Sequence, residues 1–343
     1  MKMETLTTVR LILRKFTPDD FSAVHSYASR ADNTVYMPWG PNGEEHTREF
    51  IRTAIAKAEE VPLAVRQFAV VLKETGCLIG GCTISAAGEK GSLGWIISRD
   101  HWNRGYCTEL GRALLDFGFG ELGLHRIVAV CDAENAASYR VMEKIGMRRE
   151  GLFLEARPAN KNSDKQYGDE YRYAILRDEY ESLRGIAYQK TLPVTFDGFI
   201  ELPELTDGVV RLVCAEKKPA DEARKLIPAY DFIITVGSER VGKINLRIGY
   251  TDRLYYGGQI GYGVDERHRG NGYAARAVRL LSYVAKAHGM IVLYITNDPS
   301  NTASVRVCEK VGAKLLRRCR LPEWHDLYNE SRRYVNIFEW ILE

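Results

Sequence analysis

A twelve-residue segment occurs twice in this chain, and that repetition limits the fold more than any other feature. Residues 135–146 read NAASYRVMEKIG and residues 301–312 read NTASVRVCEKVG. Eight positions match: Asn135/Asn301, Ala137/Ala303, Ser138/Ser304, Arg140/Arg306, Val141/Val307, Glu143/Glu309, Lys144/Lys310 and Gly146/Gly312. Upstream, Arg104-Gly105-Tyr106-Cys107 and Asn271-Gly272-Tyr273-Ala274 hold the same place in each half, with the spacing changed by one residue. Self-similarity at a fixed offset means repeated structural units. At 343 residues the chain also exceeds what one hydrophobic core usually organises, so two copies of one fold are expected.

Each half carries the same order of signals. In the first, RLILR (10–14) predicts a strand, and 43–60 has apolar residues at helical spacing. Residues 68–84 form two apolar runs around a Thr-Gly turn, as a hairpin would. A strand follows at 92–98, then the Gly105 loop and an amphipathic helix, a buried strand at 125–131, and a helix at 136–146 stopped by Gly146. The second half repeats the order with strands at 209–214, 259–264 and 290–296, a hairpin at 232–248 around a Gly-Ser-Glu-Arg turn, and helices after Gly272 and at 302–312. Its connection between first strand and hairpin is far shorter, so the second copy lacks most of one covering segment. The stretch 184–208, with Pro and Gly and no helical period, predicts a linker between domains at 1–183 and 209–343. Strands interrupted by helices imply an α+β layered fold, with mixed sheets flanked by helices.

Composition removes several classes. With 45% hydrophobic and 27% charged residues the chain is neither collagen-like, disordered nor a coiled coil. A net charge of +3 is too weak to point to nucleic acid or an anionic membrane, and neither partner is expected. The N-terminus has no apolar leader with a cleavage site, and no run of 18 apolar residues occurs. Seven cysteines without C-x-x-C spacing fit neither a disulfide framework nor a zinc site. A cytoplasmic protein without a metal is therefore expected.

The loop Arg267-His268-Arg269-Gly270-Asn271-Gly272-Tyr273-Ala274 lies between a strand and a helix. Glycines let backbone approach a ligand closely, and successive N–H groups at a helix start suit phosphate oxygens. Arg267 and Arg269 add positive charge. The competing reading is a sharp strand-to-helix turn; the arginines and the related loop in the other half weigh against it.

At these residues the chain resembles the GNAT superfamily of N-acetyltransferases. Arg267-x-x-Gly270-x-Gly272 is similar to its acetyl-coenzyme A pyrophosphate loop, and Asn301-x-x-Ser304 with Glu309-Lys310-x-Gly312 to the helix that follows. The N-terminal half resembles the ribosomal-protein alanine N-acetyltransferase branch, the RimJ/RimL type. It does so at Thr8-x-Arg10-Leu11-x-Leu13-Arg14, Tyr36-x-Pro38-Trp39, Trp102-Asn103-Arg104-Gly105-Tyr106-Cys107-Thr108-Glu109 and Glu143-Lys144-Ile145-Gly146-Met147. The likeness spans nearly all of 7–180 and about 209–342. Asn103 stands where the family has its first loop glycine and Asp100 where it usually has Arg or Gln, so the C-terminal half has the better phosphate loop. Met142 and Cys308 stand where many members place a general-acid Tyr.

The resemblance implies transfer of acetyl from acetyl-coenzyme A to a primary amine by direct attack. It implies cofactor contacts from Asn103, Arg104, Gly105, Tyr106, Cys107 and Thr108 in one half, and from Arg267, Arg269, Gly270, Asn271, Gly272, Tyr273 and Ala274 in the other. Backbone N–H groups near Ile97 and Val264 would polarise the thioester carbonyl. Ser138 and Ser304 would protonate the departing thiolate, against the alternative that they bond helix backbone. Asn135 and Asn301 would bind the pantetheine amide, with helix capping as the competing role. Glu323 stands about where the RimL-like branch has its carboxylate, Arg157 holds the matching N-terminal position, and Glu155 is a nearby substitute; a solvated surface role competes for each acid. Asp164, Asp169, Glu170 and Asp326 are further acids in these segments. His101 and His268 flank the loops and suit phosphate or solvent contact, and Cys107 at a helix start would have a lowered pKa unless it is buried packing. The acceptor is a small amine or a protein N-terminus. The duplication and the shortened cap favour the small amine, and a homodimer is compatible. The alternative is one catalytic half beside a degenerate acyl-coenzyme A-binding or scaffolding half.

Overall fold

The computed structural model describes residues 3–60, 64–159 and 166–342. The chain divides into two compact units, Met1–Tyr180 and Glu181–Glu343.

Unit 1 contains β1 (Leu6–Thr7), β2 (Leu11–Arg14), α1 (Phe21–Ala28), α2 (Ala31–Thr34), α3 (Glu44–Lys57), β3 (Val65–Leu72), β4 (Leu78–Ala87), β5 (Lys90–Ile97), α4 (Tyr106–Gly120), β6 (Arg126–Asp132), α5 (Ala136–Lys144), β7 (Arg148–Pro158) and β8 (Tyr167–Leu176). The strands form one sheet in the order β1-β2-β3-β4-β5-β6-β8-β7. Only β5 and β6 run parallel; the other pairs are antiparallel. One face buries Phe68, Val70, Ile84 and Ile127 against Leu110, Leu114 and Leu115 of α4. The helix sits close because Gly118 has no side chain: a Cβ there would lie 2.6 Å from Ile127 Cδ1. The other face is covered by α1 and α3 through Val24, Tyr27, Ile51 and Ala54. The predicted buried strand at 125–131 is half right. Ile127 and Ala129 are buried, but Val130 is 49% exposed.

The boundary between the units falls inside α6 (Arg177–Gln189). Unit 2 continues with β9 (Leu205–Thr206), β10 (Val210–Lys218), β11 (Ala229–Val236), β12 (Glu239–Arg247), α7 (Asp252–Gly257), β13 (Ile260–Val264), α8 (Tyr273–Ala287), β14 (Val292–Asn297), α9 (Thr302–Val311), β15 (Lys314–Arg320) and β16 (Tyr334–Ile341). Among the described residues its strands form two sheets, β13-β12-β11-β10-β9 and β14-β16-β15. Tyr230, Phe232, Ile244 and Leu246 pack with Val278 and Leu281 of α8. No helix lies between β10 and β11, where unit 1 has three. The opposite face of β11 and β12 is left half-exposed at Asp231, Ile233, Asn245 and Arg247.

The segment 184–208 departs from the expected linker. It carries the end of α6 and β9, and Ile186, Leu192 and Leu205 are buried in unit 2. The glycine that suggested a break, Gly185, serves contact instead: a Cβ on it would fall 2.1 Å from the Tyr255 hydroxyl. The hairpins β7–β8 and β15–β16 and helices α1 and α7 lay outside the sequence expectation.

The cap over unit 1 is tied to the sheet by Asp20, 6% exposed, which accepts from both terminal nitrogens of Arg14 at 2.8 Å and from the Thr17 N–H at 2.8 Å. Burial opposes ionisation of Asp20, but the guanidinium and the N–H outweigh it and hold the carboxyl below its usual range. A depressed folded-state value contributes stability above the unfolded value, and that contribution is lost as pH falls below about 4. Asp20→Asn is expected to cost about 2 kcal/mol at neutral pH. In urea melts the gap to the parent protein should shrink toward acid pH; a gap independent of pH would contradict this role.

Candidate active site

In unit 1 the parallel ladder of β5 and β6 runs from Lys90↔Arg126 to Leu93↔Ala129, while β5 continues to Ile97. The two strands part there, leaving one edge of β5 without a strand neighbour. Ser98 N–H donates to Ile79 O at 2.7 Å. By the alternation of an antiparallel ladder, the Ile97 N–H and carbonyl, opposite Gly80, point away from β4. The Ile97 carbonyl accepts Trp102 Nε1–H at 2.7 Å. Unit 2 repeats the arrangement. Asp265 N–H donates to Val241 O at 2.9 Å, which turns Val264 away from β12, and the Val264 carbonyl accepts Arg269 Nε at 3.3 Å. β13 and β14 form no ladder. They are joined just before β13 at Gln259, whose N–H donates to Tyr294 O at 2.9 Å and whose Oε1 accepts from Tyr294 N at 2.7 Å. A glycine supports both turning points: a Cβ at Gly80 would lie 2.2 Å from Ile96 O, and one at Gly242 2.3 Å from Gly263 O.

The loops after these strands have one backbone path. Asn103 has φ 58° and Gly105 78°; Gly270 has 86° and Gly272 75°. Asn enters the left-handed region more readily than other side-chain-bearing residues, so the departure at Asn103 leaves the loop conformation intact. The first intrahelical bonds are Glu109 N–H to Gly105 O and Arg276 N–H to Gly272 O. The N–H groups of Tyr106, Cys107 and Thr108, and of Tyr273, Ala274 and Ala275, are therefore left for another acceptor at the positive end of a 15-residue helix. The charge of Asp100 is met by Arg30 at 3.1 Å. Arg267 pairs with Glu239 at 3.1 Å, and His268 Nε2 lies 3.3 Å from the same carboxylate. Asn271 closes its own loop by donating to His268 O at 3.1 Å.

A cleft of about 470 Å³ lies where β5 and β6 part. Ile97, Asn103, Gly105, Tyr106, Cys107, Thr108, Asn135 and Ser138 all line it, eight of the expected residues brought together by three separate segments. Arg104 is outside; its carbonyl accepts from Arg10. Of the two readings of Cys107 the structure favours buried packing, because burial pushes that thiol up to about 12. His101 lines the cleft with a buried Nδ1 that has no hydrogen-bond partner among the described residues. Asn135 and Asn301 cap α5 and α9, their Oδ1 atoms accepting from Ser138 N and Ser304 N at 3.0 Å each. Among the described residues neither amide nitrogen has a hydrogen-bond partner. Ser304 Oγ meets the Tyr262 hydroxyl at 2.8 Å, and burial raises the Tyr262 pKa to about 12, so that hydroxyl keeps its proton.

The expected carboxylates are elsewhere. Glu155 is exposed at φ 49°, with its N–H donated to Asp169 at 2.9 Å. Glu323 stands on an exposed turn 3.5 Å from Arg320. Glu170 is buried beside Arg172, Asp326 pairs with Arg253, Arg157 pairs with Asp132, and Asp164 lies outside the described residues. Sequence reading missed Asn33, which accepts from Arg99 N–H at 2.5 Å and lines the cleft, and Tyr262. The only available signal for Tyr262 was its place two residues before Val264.

The profile of the Acetyltransferase (GNAT) domain family matches residues 10–148 and 205–314, and the chain belongs to this family. It is accordingly an acyltransferase of the N-acetyltransferase type. It is 39% identical over 177 residues to the uncharacterized N-acetyltransferase YnaD of Bacillus subtilis, a match covering 51% of this chain and 98% of that protein. The uncharacterized N-acetyltransferase p20 of Bacillus licheniformis is 30% identical over 182 residues, covering 52% and 99%. The crystal structure of a GNAT-family acetyltransferase from Bacillus anthracis is 39% identical with a TM-score of 0.45, covering 51% of this chain and 99% of that one.

Capping and ligand contact at Asn135 can be separated. Asn135→Ala should cost about 1 kcal/mol of stability. Asn135→Asp, which keeps the accepting oxygen and removes the donor, should melt with the parent protein yet bind coenzyme A less tightly. Unchanged affinity in Asn135→Asp would leave the residue with capping alone.

Proposed function

We propose that the chain moves acetyl from acetyl-coenzyme A to a primary amine by direct attack, and that unit 1 is the catalytic half. The cleft where β5 and β6 part carries this reading, because its volume, unbonded N–H groups and unpartnered His101 Nδ1 suit an extended, phosphate-bearing cosubstrate. The N–H groups of Tyr106, Cys107 and Thr108 hold the pyrophosphate, and the Asn135 amide nitrogen meets the pantetheine. The Ile97 N–H donates to the thioester oxygen as negative charge develops on it. The neutral amine attacks the carbonyl carbon and the C–S bond breaks. The thiolate takes its proton from the Ser138 hydroxyl, which regains one from water, and with Glu155 and Glu323 outside the cleft the amine proton leaves to water, so no net proton is gained or lost by the protein.

Unit 2 keeps the loop geometry and the Tyr262–Ser304 hydroxyl pair, so it binds the same cosubstrate. It lacks the α1–α3 segment that brings Asn33, Tyr36 and Met37 to the unit 1 cleft. That difference favours a division of labour, with unit 2 as the binding or scaffolding half. The acceptor is a small molecule bearing a primary amine, with a protein N-terminus as the other candidate. Seven cysteines, none in a disulfide among the described residues, suit a reducing cytoplasm.

Steady-state acetylation assays on small amines and on peptide N-termini test this. Gly105→Val, which puts a branched side chain at φ 78°, is expected to lower kcat/KM for acetyl-coenzyme A about a hundredfold, while Gly272→Val leaves turnover near that of the parent. Turnover that follows Gly272→Val would reverse the assignment of the units, and activity on peptide N-termini alone would overturn the small-amine reading.

A further inference from the structure

Unit 2 holds a second cleft, of about 330 Å³, on the face of β11 and β12 turned away from α8. It borders Ala229 and Asp231 of β11, Asn245 and Arg247 of β12, α7, residues 218–227 and the turn at 325–327. On the β12–β13 ladder it lies near Leu246↔Ile260, while the glycine loop follows the Gly242↔Val264 end. Four residues of strand, about 13 Å, separate the two ends. The cleft is therefore distinct from the place proposed for coenzyme A.

Its lining carries four cations and two acids. Two of the cations are neutralised, Lys218 by Asp231 and Arg253 by Asp326. His325 adds no charge: its Nδ1 accepts from Leu327 N–H at 3.1 Å, so the proton sits on Nε2 facing Arg253 O at 2.9 Å, and burial lowers its pKa. Arg247 and Lys225 remain. The half-buried Arg247 guanidinium donates to Gly258 O at 3.2 Å and forms no ion pair with a described residue. A desolvated guanidinium that faces an open cleft, with its acidic neighbour Asp231 already paired to Lys218, is an anion site in waiting, and its planar fork matches a carboxylate in bidentate fashion. The apolar walls supplied by Leu226, Ile227 and Leu254 suit a hydrocarbon body better than inorganic phosphate. The volume is at the small end of ligand pockets, which run from about 300 to 1,000 Å³.

We propose that this cleft binds a small organic carboxylate with an apolar body, its carboxylate on Arg247 and steered by Lys225. The proposal does not depend on the acetyl-transfer reading, and its test measures binding alone. Calorimetric titration of the full chain with 3-methylbutanoate should give one site per chain, with the uncharged 3-methylbutanamide and inorganic phosphate each at least tenfold weaker. Arg247→Gln should weaken the acid at least tenfold. Lys225→Gln, an exposed change that leaves the fold alone, should weaken it two- to threefold, and saturating coenzyme A should change nothing. Absence of binding, equal affinity for acid and amide, parent-like affinity in both variants, tighter binding of phosphate, or displacement by coenzyme A would each overturn the proposal.

Discussion

A missing stretch of β-sheet hydrogen bonding organises each half of this protein. Backbone N–H and carbonyl groups in a sheet are ordinarily paired. Where β5 leaves β6 after Leu93, and where β13 never joins β14, the pairing stops while the strand continues. The edge so exposed is held open by specific contacts: Trp102 on the Ile97 carbonyl, Arg269 on the Val264 carbonyl, and Gln259 clamped to Tyr294 at the start of the gap in unit 2. The glycine loop and the following helix start at the mouth of that gap. Parted strands, left-handed loop residues and unbonded helix N–H groups thus meet at one place, the one proposed to take an extended anionic molecule between strands.

The parts of this device differ in how far the sequence reveals them. The loop was legible, because a backbone that must turn left-handed twice selects Gly or Asn, and the repeat aligned the two versions. The strand that precedes it was legible from its apolar run. Gly80 and Gly242 were silent, since a glycine inside a strand can mark a bulge, a bend or a close approach, and only coordinates show the facing carbonyl. The Tyr262–Ser304 contact joins residues 42 positions apart, which no local pattern encodes. β7 was missed because nearly all of it is exposed, so it shows no alternation between apolar and polar residues. Glu155 and Glu323 were chosen by position alone, and each side chain faces solvent.

The two copies have diverged on the side that covers the sheet. Unit 1 invests three helices between β2 and β3, anchored by Arg14 and Asp20, and they carry Asn33 and Tyr36 to the cleft. Unit 2 crosses the same distance with a short connection and exposes polar groups of β11 and β12 instead. The shortened cap anticipated from the sequence is therefore more than a loss, because the face it uncovers holds a charged cleft of its own. Sequence arithmetic put the better phosphate loop in unit 2. The structure evens that comparison: Asn103 adopts the glycine-like backbone, Arg30 answers Asp100, and Arg267 spends part of its charge on Glu239.

The parted strands and the loop N–H groups are proposed to hold coenzyme A together. A crystal structure of the full chain grown with coenzyme A tests it most directly. Pyrophosphate oxygens should lie within hydrogen-bond distance of the Tyr106, Cys107 and Thr108 N–H groups, with the pantetheine running between β5 and β6 toward Ile97. Coenzyme A ordered elsewhere, with both glycine loops free of phosphate, would contradict it.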